Sequence, residues 1–147
     1  MTPNRVLIIC DNLQDCLTYS ACLPTSRYDL AVCSSFSAGA DLVEKEEFDF
    51  VIVDQGGEQF EARTVLQRAA QFHPRTPVLV VAANLNLQCY VDALELGAVD
   101  YLERPEPEDV QWEIETRLRD RTRSDGRDFT PLFGTSASAA HHAHGKN

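Results

Sequence analysis

A chain of 147 residues with 44% hydrophobic side chains is of a size to form one domain around one core. Its 13 Lys and Arg against 23 Asp and Glu give a net charge of -10, so a nucleic-acid backbone is repelled on average and direct nucleic-acid binding is not expected. The longest apolar runs, such as PVLVVAA from Pro77 to Ala83, fall far short of the roughly 20 residues that cross a bilayer, so the expectation is a cytoplasmic protein with no membrane segment.

In chain order, the first element is a strand at Arg5 to Cys10 (RVLIIC), followed by a helix over Asn12 to Leu23 with Leu13, Cys16, Leu17 and Ser20 on one face. A weaker strand at Tyr28 to Cys33 precedes a helix over Ser37 to Glu46. The run FDFVIVD, Phe48 to Asp54, is a third strand, and Phe60 to Phe72 a third helix using Val65, Leu66, Ala69 and Ala70. Thr76 to Ala82 forms the fourth strand and Leu87 to Leu96 the fourth helix, stopped by Gly97. A short strand at Val99 to Leu102 and a helix over Glu108 to Arg123, with Val110, Ile114 and Leu118 in a row, complete the pattern. The strand runs are continuous rather than alternating, which requires cover on both faces and therefore a parallel sheet. Parallel neighbours need right-handed crossovers, so the order implies an α/β fold: a doubly wound five-stranded parallel sheet with helices on both faces. Residues 1–123 form this domain. Residues 124–147 lack any period and read as a flexible tail, with FTPLF (Phe129 to Phe133) and His141, His142 and His144 as its marked features.

In such a sheet the loops at the carboxyl ends of the strands converge on one crevice. Asp54 ends the most apolar strand and Asp11 follows the neighbouring one, so two carboxylates face each other there and could hold Mg²⁺, a hard cation that prefers oxygen ligands. Taken alone, Asp11 serves equally as a helix cap and Asp54 as a strand terminus. The five cysteines, Cys10, Cys16, Cys22, Cys33 and Cys89, are odd in number and lack metal spacing, and read as reduced, mostly buried thiols.

Four tracts in order resemble the response-regulator receiver family, whose fold is CheY-like (flavodoxin-like): RVLIICDN, FDFVIVD, PVLVVAA and GAVDYLERP, together covering nearly all of the ordered length. The resemblance implies that Asp54 is the phosphoacceptor, that Asp11 and Asp54 bind Mg²⁺, that Ala82 and Arg104 line the phosphate pocket and that Tyr101 is the switch aromatic. It implies a signal-transduction module of a two-component system or phosphorelay rather than an enzyme.

Departures from the family pattern are as informative. Cys10 replaces the first of two acids, and a neutral thiol is a poor substitute for a hard oxygen ligand. Ala82 replaces the hydroxyl residue that bonds the phosphoryl group, Arg104 replaces a lysine, and Glu58 and Ala62 replace the usual proline and glycine. The expectation is a pseudo-receiver, with no cofactor or only weak Mg²⁺, acting through protein contacts. Its partner face is the fourth helix, last strand and fifth helix, with Tyr90, Tyr101 and Trp112 as interface residues, and a signalling protein or a second copy of the chain as occupant. A working phosphoacceptor is the first alternative and a flavodoxin-like flavin or nucleotide binder the second. DNLQDC disfavours the latter, because its acids repel phosphate. A redox role for Cys10 is disfavoured because neighbouring carboxylates raise a thiol pKa.

Overall fold

A computed structural model of the chain describes residues 2–126, with side chains through residue 120. Among these residues strands and helices alternate five times: β1 (Asn4–Ile9), α1 (Leu13–Ala21), β2 (Tyr28–Cys33), α2 (Phe36–Lys45), β3 (Phe50–Asp54), α3 (Ala62–Phe72), β4 (Val78–Ala82), α4 (Leu87–Glu95), β5 (Asp100–Glu103) and α5 (Pro107–Gly126). The strands pair in parallel in the order β2-β1-β3-β4-β5, the doubly wound arrangement expected from the sequence. No helix among the described residues is long and apolar enough to cross a membrane.

Alternation along each strand divides the core in two. On one face Leu7, Ile9, Val51, Val53, Val78, Val80 and Tyr101 pack under α2, α3 and α4. On the other Val6, Ile8, Cys10, Phe50, Ile52, Leu79, Val81 and Leu102 pack under α1 and α5. This two-sided burial is why the strand runs do not alternate in polarity.

Local chemistry places the helix ends. Asn12, Ser35 and Asn86 accept hydrogen bonds from the backbone N–H of Gln14, Ala38 and Cys89, which satisfies one orphan donor at each helix start. Gly97 takes φ 104° just past α4, the left-handed conformation foreseen for it. Pro107 opens α5 at its first position, where a missing N–H does no harm.

Two expectations need correction. The inward residues of α1 are Cys16 and Tyr19, with Leu23 just past its end, so Leu13 and Leu17, expected on the apolar face, are exposed. Residues 16 and 19 follow an i, i+3 spacing, and a step of about 100° per residue then turns Leu17 away from them. The last helix also continues three residues beyond Arg123, to Gly126. The tail features FTPLF, His141, His142 and His144 lie outside the described residues.

Candidate functional site

The crevice forms where β1 and β3 end side by side. Ile9 pairs with Val53, which places Cys10 level with Asp54, and Asp54 in turn pairs with Val81 of β4. Ala82 pairs with Glu103 at the end of β5, one step further out. Because successive residues point to opposite faces, Asp54 shares the α1 side with Phe50 and Ile52, whereas Gln55 turns toward the α4 side.

Asp54 is half-buried, and its surroundings are anionic. Burial, then Asp11, then Asp15 raise its pKa to about 6, and backbone amides of Gly56 and Gln55 offset part of that rise. Asp15 lies in the first turn of α1 and was not singled out in the sequence. The turn of α1 that brings it over β3 is what the sequence reading lacked. Asp11 is not the helix cap, since Asn12 takes that role by accepting the Gln14 N–H at 2.8 Å.

Cys10 is fully buried in the α1 face of the core, hydrogen-bonded with Cys16, and both burial and that bond push its thiol far above the ordinary range. It is an inert packing group, neither a ready nucleophile nor a soft ligand. Two carboxylates, Asp11 and Asp54, are thus what the pocket offers a hard cation from the expected set. Among the described residues no cluster of three His, Cys, Asp or Glu side chains is arranged to hold a metal ion. The donor set fits Mg²⁺ only weakly.

On the far side of Asp54 the expected phosphate contacts are thin. Ala82 is buried and presents a methyl group. Arg104 sits in the left-handed region at φ 42°, with a side chain 71% exposed and 4.0 Å from Glu103. It is not among the groups that act most on Asp54. The turn before Pro105 leaves the guanidinium in solvent. The loop after β3 follows its own path, as expected. Gly56 takes φ 88°, where an added Cβ would stand 2.2 Å from Glu61 Oε1, and Glu61 reaches back to accept the Gly57 N–H at 2.8 Å.

Tyr101 is only 3% exposed. Its hydroxyl donates to Gln55 Oε1 and accepts the Asn86 backbone N–H at 3.2 Å. Tyr90 meets its ring edge-on, with centroids 5.4 Å apart at 84°. Tyr101 was expected as a surface contact as well as the switch aromatic. The structure corrects the first role, because an inward ring has no surface to offer. Gln55 went unnoticed in the sequence, although the parity of β3 and β5 places it on the face that carries Tyr101.

Around this centre the outer surface of α4 carries an apolar row beside the exposed Gln88 and Glu95. Leu87 is 69% exposed, Val91 44% and Leu94 39%, one row at i, i+4 and i+7. Trp112 on α5 is 41% exposed. Tyr90 is partly buried against the core. Between β5 and α5, Glu113 is buried and hydrogen-bonded with Asp100, and burial and then Asp100 raise its pKa to about 8. Arg117 Nε donates to Glu113 at 3.2 Å, and its Nη2 to the Val99 carbonyl at 3.3 Å.

Sequence and structure comparisons agree with this geometry. The family model of the response regulator receiver domain matches residues 6–115, and the chain belongs to that family. The transcriptional regulatory protein ZraR of Escherichia coli (strain K12) is 28% identical over 100 residues, 68% of this chain and 23% of that protein. The chain thus spans about a quarter of that relative's length. A CheY-like response regulator receiver domain protein from Methanospirillum hungatei JF-1 superposes with a TM-score of 0.77 at 22% identity, covering 84% of this chain and 99% of that one. The beryllofluoride-activated NtrC4 receiver domain dimer gives 0.70 at 19% identity, covering 80% and 98%. Membership places the chain in two-component signalling and displaces the flavin-binding alternative.

Proposed function

We propose that this chain is a receiver domain that signals by protein contact, with phosphorylation of Asp54 impaired and no catalytic turnover. One observation carries the reading: Cys10, where the family pattern has an acid, is a fully buried thiol, and Ala82, where it has a hydroxyl, is a buried methyl group. Phosphoryl transfer to a carboxylate depends on positive charge that neutralises the incoming oxygens. Here a metal ligand is replaced by the buried Cys10, and Arg104 is solvated. Mg²⁺ binding through Asp11 and Asp54 is correspondingly weak. If a phosphoryl group did form, the methyl of Ala82 could not donate the bond that would report it.

The partner surface in this reading is α4, β5 and α5, with Trp112 and the rim of Tyr90 as aromatic contacts. Its occupant is a signalling protein or, as the NtrC4 receiver dimer suggests, a second copy. Residues 1–123 are the working domain, and a cytoplasmic setting fits it. A working phosphoacceptor is the competing reading, favoured by the retained Asp54 carboxylate and by the backbone amides of Gln55 and Gly56 directed at it. Incubation with acetyl phosphate and Mg²⁺ followed by intact-mass measurement separates the two. Substoichiometric labelling is expected; a full phosphoryl adduct absent from Asp54→Ala would overturn the proposal.

A further inference from the structure

Gln55 occupies a position that phosphate chemistry does not explain. It follows Asp54 directly, yet the alternation of β3 turns it to the opposite face, where it is 6% exposed. A buried side-chain amide is unfavourable unless hydrogen-bonded, and here its Oε1 accepts the Tyr101 hydroxyl proton. The same Tyr101 oxygen accepts the Asn86 N–H at 3.2 Å. Asn86 in turn caps α4, its Oδ1 accepting the Cys89 N–H at 3.0 Å. One line of hydrogen bonds therefore runs from the end of β3 through β5 to the first turn of α4. Further along, Arg63 of α3 grips Asp92 of α4 at 3.0 Å. Of the outward row, Leu87 and Val91 lie between these two tethers and Leu94 just beyond the second.

We propose that Gln55 is a latch: it holds Tyr101 inward and fixes the start of α4 with no phosphoryl group at Asp54, so that the Leu87, Val91 and Leu94 row is presented constitutively. A ring that swings between two positions is biased only by contacts made in one of them. The family resemblance assigns that contact to a hydroxyl at position 82, where this chain has a methyl group. Gln55 supplies a bond that exists only while the ring is inward. One buried hydrogen bond shifts such a population about five- to tenfold. The use of the latch rests on the reading that phosphate does not drive this domain; its existence does not.

Hydrogen exchange of backbone amides in the full chain tests it, with sheet amides as the measure of folding. Gln55→Met keeps length without an acceptor, Gln55→Glu keeps the acceptor, and Tyr101→Phe keeps the ring without the hydroxyl. Gln55→Met is expected to speed exchange at Asn86 about five- to tenfold. Tyr101→Phe should speed it at least as much, because it also removes the acceptor of the Asn86 N–H, and adding Gln55→Met to Tyr101→Phe should change nothing further, because the bond to Gln55 is already gone. Gln55→Glu should stay within about twofold of the parent, and Asp54→Ala should leave Asn86 unchanged. Unaltered exchange at Asn86 in Gln55→Met, with the sheet still protected, would overturn the latch. So would equal acceleration by Asp54→Ala. Should Gln55→Met fail to fold, Gln55→Leu takes its place with the same expected and overturning results. Full labelling of Asp54 by acetyl phosphate would defeat the functional reading and leave this exchange pattern as it is, so the two fail separately.

Discussion

At Asp54 the sign of the pKa shift sets a stability effect. A carboxyl that titrates near 6 when folded and near 3.8 when unfolded binds more protons in the folded chain between those values. Its favourable contribution is complete below pH 3.8 and is lost as pH rises through 6. Replacing the carboxylate by a neutral amide removes the repulsion from Asp11 and Asp15. Asp54→Asn is therefore expected to gain about 1–2 kcal/mol at neutral pH, after allowance for solvent screening, and nothing at low pH, in urea unfolding. A loss at neutral pH would mean that the acids around Asp54 are compensated by cations. Asp54 and Asp11 were legible in the sequence because strand ends in a parallel sheet mark the crevice. Asp15 and Gln55 were not: the first depends on the pitch of α1 over β3, and the second sits beside a more conspicuous residue.

Among the elements, β5 and α5 are joined by a buried acid pair. Glu113 shares a hydrogen bond with Asp100, and its pKa rises to about 8 from an ordinary 4.5. A protonated Glu113 can donate to Asp100 while accepting from Arg117, an arrangement that ionisation would oppose. The folded chain again holds the extra proton, so this contribution is complete below pH 4.5 and fades as pH rises through 8. Gln donates and accepts in the same places without titrating. Glu113→Gln should flatten the fall in melting temperature of the parent between about pH 4.5 and 8. An unchanged slope would exclude this pair as its source. The α5 row of Val110, Ile114 and Leu118 was readable from its spacing, whereas nothing in the sequence marks Glu113 as buried, since acids are rarely found inside unless paired. The α1 face was misread because Leu13 and Leu17 obey a helical spacing that packing did not choose.

Across the whole molecule, family membership and sheet order follow from tracts in the right sequence, and the structure adds how the pieces are connected. Both ends of the expected switch are present, the acid at Asp54 and the aromatic at Tyr101. The hydroxyl expected between them is absent, and Gln55 holds the ring from another direction. The apolar row on α4 was missed because Leu87, Val91 and Leu94 also fit a buried helix face. They stand outside because Cys89 and Ala93 take the inward positions. A receiver built this way should have its α4–β5 conformation set before any phosphate arrives. Beryllofluoride mimics a phosphoryl group on an aspartate, and amide NMR spectra recorded with it and Mg²⁺ address that claim most directly. The amides of Asn86, Tyr101 and α4 are predicted to keep their positions at saturating reagent; concerted, saturable shifts running from Asp54 to α4 would contradict it.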